Sequence, residues 1–137
     1  CLATGELLAV KDTPFDFNKR KRIGQDLEAD HIQLKNAFGY DHSFVLNGTE
    51  NQLTLEEPVS GRRLIISTTA PVVQVYTGNF LKDGCIGKAG RVYENREGVA
   101  LETQLMPNAI NTEENPSTIL RKGDKFESNT KYVFEIM

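Results

Sequence analysis

The sequence holds no tryptophan, only two cysteines and two histidines, no excess of basic residues and no long apolar run. The missing tryptophan excludes nothing by itself. No stretch approaches the ~18 apolar residues of a membrane span, so no transmembrane helix is expected. The opening Cys1-Leu2-Ala3-Thr4-Gly5-Glu6 lacks the basic start and apolar stretch of a signal peptide. Cys1 and Cys85 do not make a disulfide framework, though a single bridge between them stays open. Two isolated thiols point to a reducing compartment, and a cytoplasmic location is expected. With no C-x-x-C and no H-x-x-x-H, little is left to hold zinc, and no metal is expected. Lys plus Arg total 16 against 19 for Asp plus Glu, a net charge of −3. Neutralising phosphates needs a basic excess or a basic face, so no nucleic-acid partner is expected.

What is present is a chain of 137 residues, one domain by length and long enough to build a core. Leu, Ile, Val and Phe make up about a quarter of it, above the roughly 20% below which chains tend to be disordered. No internal repeat, low-complexity segment or linker is visible, so residues 1–137 read as a single domain. The first residue is not Met, and the chain enters an apolar run (Leu7, Leu8, Val10) almost at once, as a fragment of a longer protein does.

Val, Ile and Thr cluster in short runs separated by Gly, Asn, Pro and Asp, the pattern of an antiparallel β protein. The expected strands are Glu6–Val10, Ser43–Leu46, Gln52–Glu56, Arg63–Thr68, Val72–Thr77, Gly98–Leu105 and Tyr132–Ile136. Pro58-Val59-Ser60-Gly61-Arg62 suits a reversing loop, which makes the third and fourth expected strands neighbours and a hairpin out of Gln52–Glu56 and Arg63–Thr68. One short helix is expected at Leu27–Leu34, where Leu27, His31 and Leu34 share a face. Long loops run over 12–24, 78–90 and 106–115, and loops of that length tend to be functional or to cover something.

Three polar residues interrupt apolar runs. Glu102 lies in Gly98-Val99-Ala100-Leu101-Glu102-Thr103-Gln104, where alternation puts Val99, Leu101, Thr103 and Leu105 on one face and Ala100, Glu102 and Gln104 on the other. Gln74 lies in Val72-Val73-Gln74-Val75-Tyr76 and shares a face with Tyr76. An amide beside a phenol suits hydroxyl recognition, because the amide offers both donors and an acceptor. Asp41, in Gly39-Tyr40-Asp41-His42-Ser43-Phe44, stands at the mouth of a strand. For each, pattern alone leaves two readings open: a wetted face or turn cap, and a polar group aimed into a cleft. Asp41 and His42 do not read as a catalytic dyad, since adjacent residues on a strand point to opposite faces.

Other features carry less. Gly84-Cys85-Ile86-Gly87-Lys88-Ala89 lacks the spacing and final hydroxyl of a phosphate loop. Asn47-Gly48-Thr49 is a formal glycosylation sequon, but Asn-Gly also favours a hairpin turn, which is the reading taken. Lys19-Arg20-Lys21-Arg22, beside Asp12, Asp16 and Asp26, reads as a solvated loop rather than a polyanion-binding patch. Cys85 has lysines nearby in sequence but no placed histidine, so it is not taken as a nucleophile.

Taken in order, several segments resemble the galactose mutarotase (aldose 1-epimerase) family. They are Thr4-Gly5-Glu6, Thr13-Pro14-Phe15-Asp16-Phe17, Gly39-Tyr40-Asp41-His42-Ser43-Phe44-Val45-Leu46, Ser60-Gly61-Arg62, Ser67-Thr68-Thr69-Ala70-Pro71, Val73-Gln74-Val75-Tyr76-Thr77-Gly78-Asn79-Phe80-Leu81, Gly98-Val99-Ala100-Leu101-Glu102-Thr103-Gln104, and Pro116-Ser117-Thr118 to Leu120. The resemblance runs through the whole chain. It implies an all-β, antiparallel β-sandwich with an open sugar cleft and an activity that interconverts the α and β anomers of a free aldohexose such as galactose or glucose, with no cofactor. It places Glu102 on the family's general base and Asp41 and Gln74 on positions that hold sugar hydroxyls. Family members are more than twice this length, and their ring-oxygen acid, a histidine, lies in an N-terminal half that nothing here matches. His31 and His42 do not fall on that position. The resemblance therefore implies a C-terminal portion that carries the base but not the acid, weak or inactive alone, with sandwich surface exposed where the N-terminal half, in the same or another chain, is missing. The alternative from another class is a non-catalytic carbohydrate-binding β-sandwich; a Glu at 102 favours the enzyme.

Overall fold

The computed structural model describes residues 3–82, 86–112 and 118–137. Their β-rich runs become six strands: β1 (Asp41–Val45), β2 (Leu53–Glu57), β3 (Arg62–Thr68), β4 (Val72–Tyr76), β5 (Ala100–Gln104) and β6 (Thr130–Ile136). The sole α-helix among the described residues is α1 (Ile32–Ala37). The strands make two antiparallel three-stranded sheets, ordered β1-β4-β5 and β2-β3-β6. The fold is all-β, as its runs of β-branched residues predict. The chain divides into two compact units, and each is described by itself.

The first unit comprises Cys1–Gly5, Ser43–Val73 and Glu102–Met137. Its centre is the β2-β3-β6 sheet, and the predicted hairpin is there: Leu53 faces Ile66 and Glu57 faces Arg62. The reversing loop is closed by the Glu57 carboxylate, which accepts from the backbone N–H of Val59 (2.9 Å) and Ser60 (2.6 Å). Gly61 takes the positive φ (73°) that this turn requires. On the other side of β3, Leu64 faces Phe134 and Ile66 faces Tyr132. The period of two then sorts the sheet into an apolar face (Leu53, Leu55, Leu64, Ile66, Tyr132, Phe134, Ile136) and a polar face on which Arg63 bridges Glu56 (2.7 Å) and Glu135 (3.4 Å). Cover over the apolar face is uneven: Ile66 is fully buried, whereas Phe134 and Ile136 are 78% and 76% exposed.

The second unit comprises Glu6–His42 and Gln74–Leu101. It holds little regular structure and packs around aromatic rings. Phe15 is buried and meets His42, His31 and Tyr40 edge-on, with centroids 4.7, 5.2 and 5.4 Å apart. Tyr40 is fully buried; its hydroxyl donates to the Pro14 carbonyl (2.7 Å). Burial, with a smaller push from the Asp26 charge, raises the Tyr40 phenol to about 12.

Three local expectations change. Glu6–Val10 is not a strand: Leu7 and Leu8 are exposed, and the Val10 carbonyl instead accepts from Thr13 N–H (3.1 Å) and Thr13 Oγ1 (2.6 Å) in a turn. The helix starts at Ile32, not Leu27. His31 is its N-cap, with Nδ1 accepting from Gln33 N–H (3.2 Å), and its ring packs edge-on against Phe15 rather than along a helical face. Asn47-Gly48 is a bend leading from β1 to β2, which lie in different sheets, so it joins no hairpin.

Candidate functional site

Asp41 is the first residue of β1 and is exposed. Gln74 is the middle residue of β4 and is half-buried. The structure brings them together: Gln74 Nε2 donates to Asp41 Oδ1 at 2.7 Å, across 33 residues of chain. Alternation on β4 puts Tyr76 on the same face as Gln74, and its hydroxyl accepts from Phe80 N–H (3.0 Å). A carboxylate joined to an amide presents acceptors and donors side by side. That suits a hydroxyl, which donates and accepts at once, better than it suits an anion.

Glu102 sits at the centre of β5 and is exposed. Its orientation follows from its neighbour. Thr103 Oγ1 lies 2.9 Å from Thr130 Oγ1, which lies 2.8 Å from Thr68 Oγ1, so Thr103 points toward the apolar face of the β2-β3-β6 sheet. Alternation then turns Glu102 the other way. Among the described residues its carboxylate makes no hydrogen bond or ion pair, which leaves an accessible acceptor on a stiff strand. Glu102 thus lies on the face opposite Thr103, exposed to solvent.

Both histidines engage backbone through Nδ1: His42 Nδ1 accepts from Asp41 N–H (3.0 Å), and His31 Nδ1 caps α1 by accepting from Gln33 N–H. Burial is the largest influence on His42 and lowers it; nearby Asp41 pushes the other way and His31 adds to the lowering. No carboxylate–imidazole dyad forms at 41 and 42.

The basic run 19–22 is not uniformly solvated. Lys21, with only 11% of its side chain exposed, donates to the Pro14 carbonyl (2.6 Å) and to Asp26 Oδ2 (2.8 Å), and its ammonium lies 4.4 Å from the Phe17 ring centroid. It braces the aromatic cluster. The clue available in sequence was Asp26 five residues on, too weak to separate Lys21 from its neighbours. Elsewhere in the second unit three cations are matched: Arg91 pairs with Glu97 (2.8 Å), Lys82 with Glu94 (2.9 Å), and Arg96 with Glu28. Among the described residues no three His, Cys, Asp or Glu side chains gather as a metal cluster would, and no helix is long and apolar enough to cross a membrane. Cys1 and Cys85, and Pro116-Ser117 of the resemblance, lie outside the described residues.

The fold has solved counterparts. It matches a GalM/aldose epimerase homologue from C. elegans with a TM-score of 0.85 and 30% identity, over 98% of this chain and 40% of that one. It matches galactose 1-epimerase from Lactobacillus acidophilus with a TM-score of 0.73, also at 30% identity, over 98% of this chain and 39% of that one. In sequence, human galactose mutarotase is 37% identical over 98% of this chain and 39% of its own length. Aldose 1-epimerase from Escherichia coli is 35% identical over 93% of this chain and 38% of its own. The aldose 1-epimerase family profile covers residues 1–133. The chain belongs to the aldose 1-epimerase family. It spans about two fifths of the length of the relatives it matches.

Proposed function

We propose that these 137 residues are the C-terminal portion of an aldose 1-epimerase that interconverts the α and β anomers of a free hexose such as galactose or glucose. Glu102 takes the proton from the C1 hydroxyl, and an acid gives a proton to the ring oxygen. The C1–O5 bond breaks to leave the open-chain aldehyde. Rotation about C1–C2 presents the other face of the carbonyl, and the steps run in reverse. Asp41 and Gln74 hold sugar hydroxyls while this happens. No oxidant, metal or cofactor enters the balance. The acid, in this reading, is a histidine outside the 137 residues, because neither His31 nor His42 falls on the position that the family resemblance gives to it. The cytoplasm is the setting the reading takes, on the cysteine usage of the sequence.

The observation that carries the reading is the 2.7 Å bond from Gln74 to Asp41. The reading takes this joined carboxylate and amide as the place where neutral sugar hydroxyls are held. The open apolar surface at Phe134 and Ile136 fits a sandwich whose remainder lies elsewhere.

Polarimetry of freshly dissolved α-galactose tests it. The chain alone should speed the drift little or not at all above the spontaneous rate. Whatever catalysis it has should fall about 10²-fold or more in Glu102→Gln, the usual worth of a positioned base. Full activity in the 137 residues would remove the claim of an outside acid. With the remainder of the sandwich supplied and catalysis restored, a rate indifferent to Glu102→Gln would remove Glu102 from its role. Sugar binding without catalysis, even with the remainder of the sandwich supplied, would favour a carbohydrate-binding module.

A further inference from the structure

Two polar side chains in the second unit are buried beyond any need of the aromatic core. Thr77 and Asn79 are each 4% exposed. Thr77 grips the backbone of Tyr40 twice: its N–H donates to the Tyr40 carbonyl (3.1 Å), and its Oγ1 accepts from Tyr40 N–H (3.1 Å). The Thr77 hydroxyl donates onward to Asn79 Oδ1 (2.7 Å). Asn79 Nδ2 donates to the Ala37 carbonyl at the end of α1 (2.8 Å) and to the Tyr40 carbonyl (3.0 Å). The space is made by Gly39, whose φ is 139° and on which a Cβ would stand 2.4 Å from Asn79 Oδ1. Every hydrogen-bonding atom of the Asn79 amide is therefore engaged, on groups that frame the peptide immediately before Asp41. Gln74, the partner of Asp41, lies three residues before Thr77 on the same run of chain.

We propose that Asn79, acting through Thr77, is a positioning residue: it clamps the Tyr40 backbone to the end of β4 and so sets the Asp41 carboxylate against Gln74. It touches no substrate. The inference rests on the reading that Asp41 and Gln74 hold sugar hydroxyls, but its first test does not. A carboxylate anchored only by its own strand end would wander by rotation of the 40–41 peptide. Tying both the N–H and the C=O of Tyr40 removes that freedom before ligand arrives, which is how a preorganised site avoids the cost of ordering on binding.

The test follows the Gln74 side-chain amide by ¹H–¹⁵N NMR, with Asp41→Ala marking the position of an amide that has lost its carboxylate. Asn79→Ala and Thr77→Val should both move the Gln74 resonances to that position, and Thr77→Ser, which restores the hydroxyl, should return them. Affinity for D-galactose should fall about tenfold in Asn79→Ala and Thr77→Val, with no further fall when either is added to Asp41→Ala. Gln74 resonances unmoved in folded Asn79→Ala and Thr77→Val, with only the melting temperature lowered, would overturn the proposal. Resonances that move while galactose affinity stays constant would uphold the clamp and count against the sugar site. Should Asn79→Ala fail to fold, the Thr77→Val and Thr77→Ser pair decides, since Val keeps the shape of Thr without its hydroxyl and Ser keeps the hydroxyl without the methyl.

Discussion

The two units of this chain achieve order by opposite means. In the first, a hydrogen-bonded ladder does most of the work, and side chains merely sort by alternation into an apolar and a charged face. In the second, regular structure is sparse, and side chains bind backbone: Tyr40 and Lys21 on the Pro14 carbonyl, Thr77 and Asn79 on Tyr40. The candidate residues follow the same division. Glu102 is aimed by strand geometry and has no brace of its own, whereas Asp41 is held by a specific partner beside a buried polar knot. On the proposed reading, Glu102 relies on access and a stiff strand for its support. Recognition of a hydroxyl needs a fixed direction, and fixing direction takes side-chain hydrogen bonds.

The contrast can be broken at several points. The largest effect is expected at Ile66, the covered end of the apolar face: Ile66→Ala should cost about 3 kcal/mol in urea unfolding, and a loss under about 1 kcal/mol would mean that the sheet is not where the first unit keeps its core. Gly39→Ala should cost about 2 kcal/mol, from a left-handed backbone and a collision with Asn79; a neutral result would dissolve the knot. A pH effect comes next. His42 is held below its ordinary 6.5 by burial, so the unfolded chain binds the proton first as pH falls. Stability from neutral His42 is therefore complete above about 6.5 and is lost as pH falls toward the folded value. In His42→Gln, unfolding midpoints between pH 5 and 7 should vary less than in the parent; an unchanged slope would assign the effect elsewhere. The smallest effect is expected at Phe134→Ser, within about 0.5 kcal/mol, because that ring is largely in solvent already. A large loss there would show the apolar face to be covered in solution.

Much of the β architecture was legible in sequence because its information is local. Val, Ile and Thr runs mark β3, β4 and β6 to within a residue or two, and Pro58 with Gly61 marks the hairpin. Glu6–Val10 has the same local pattern yet forms no strand, since a strand also needs a partner for its N–H and C=O groups, and partners are not written locally. The helix went astray for a related reason. His31 lies at helical spacing from Leu27 and Leu34, yet its ring packs on Phe15 and its Nδ1 caps the start of the helix that it was expected to lie within. At the site, the face occupied by Glu102 was readable from the period of two. The Asp41–Gln74 bond was not, because it joins residues far apart in the chain, and neither was Lys21, whose inward turn depends on the Pro14 carbonyl and the Phe17 ring. The Thr77-Gly78-Asn79 run held the best unused signal, two small polar residues astride a glycine at a strand end.

The most direct test of the central claim is a crystal structure of the protein with galactose bound. On the proposed function, a Glu102 carboxylate oxygen should lie within hydrogen-bond reach of the sugar C1 hydroxyl, about 2.6–3.2 Å, with Asp41 and Gln74 on other hydroxyls of the same ring. A galactose seated elsewhere, or one bound at Asp41 and Gln74 with C1 out of reach of Glu102, would contradict it.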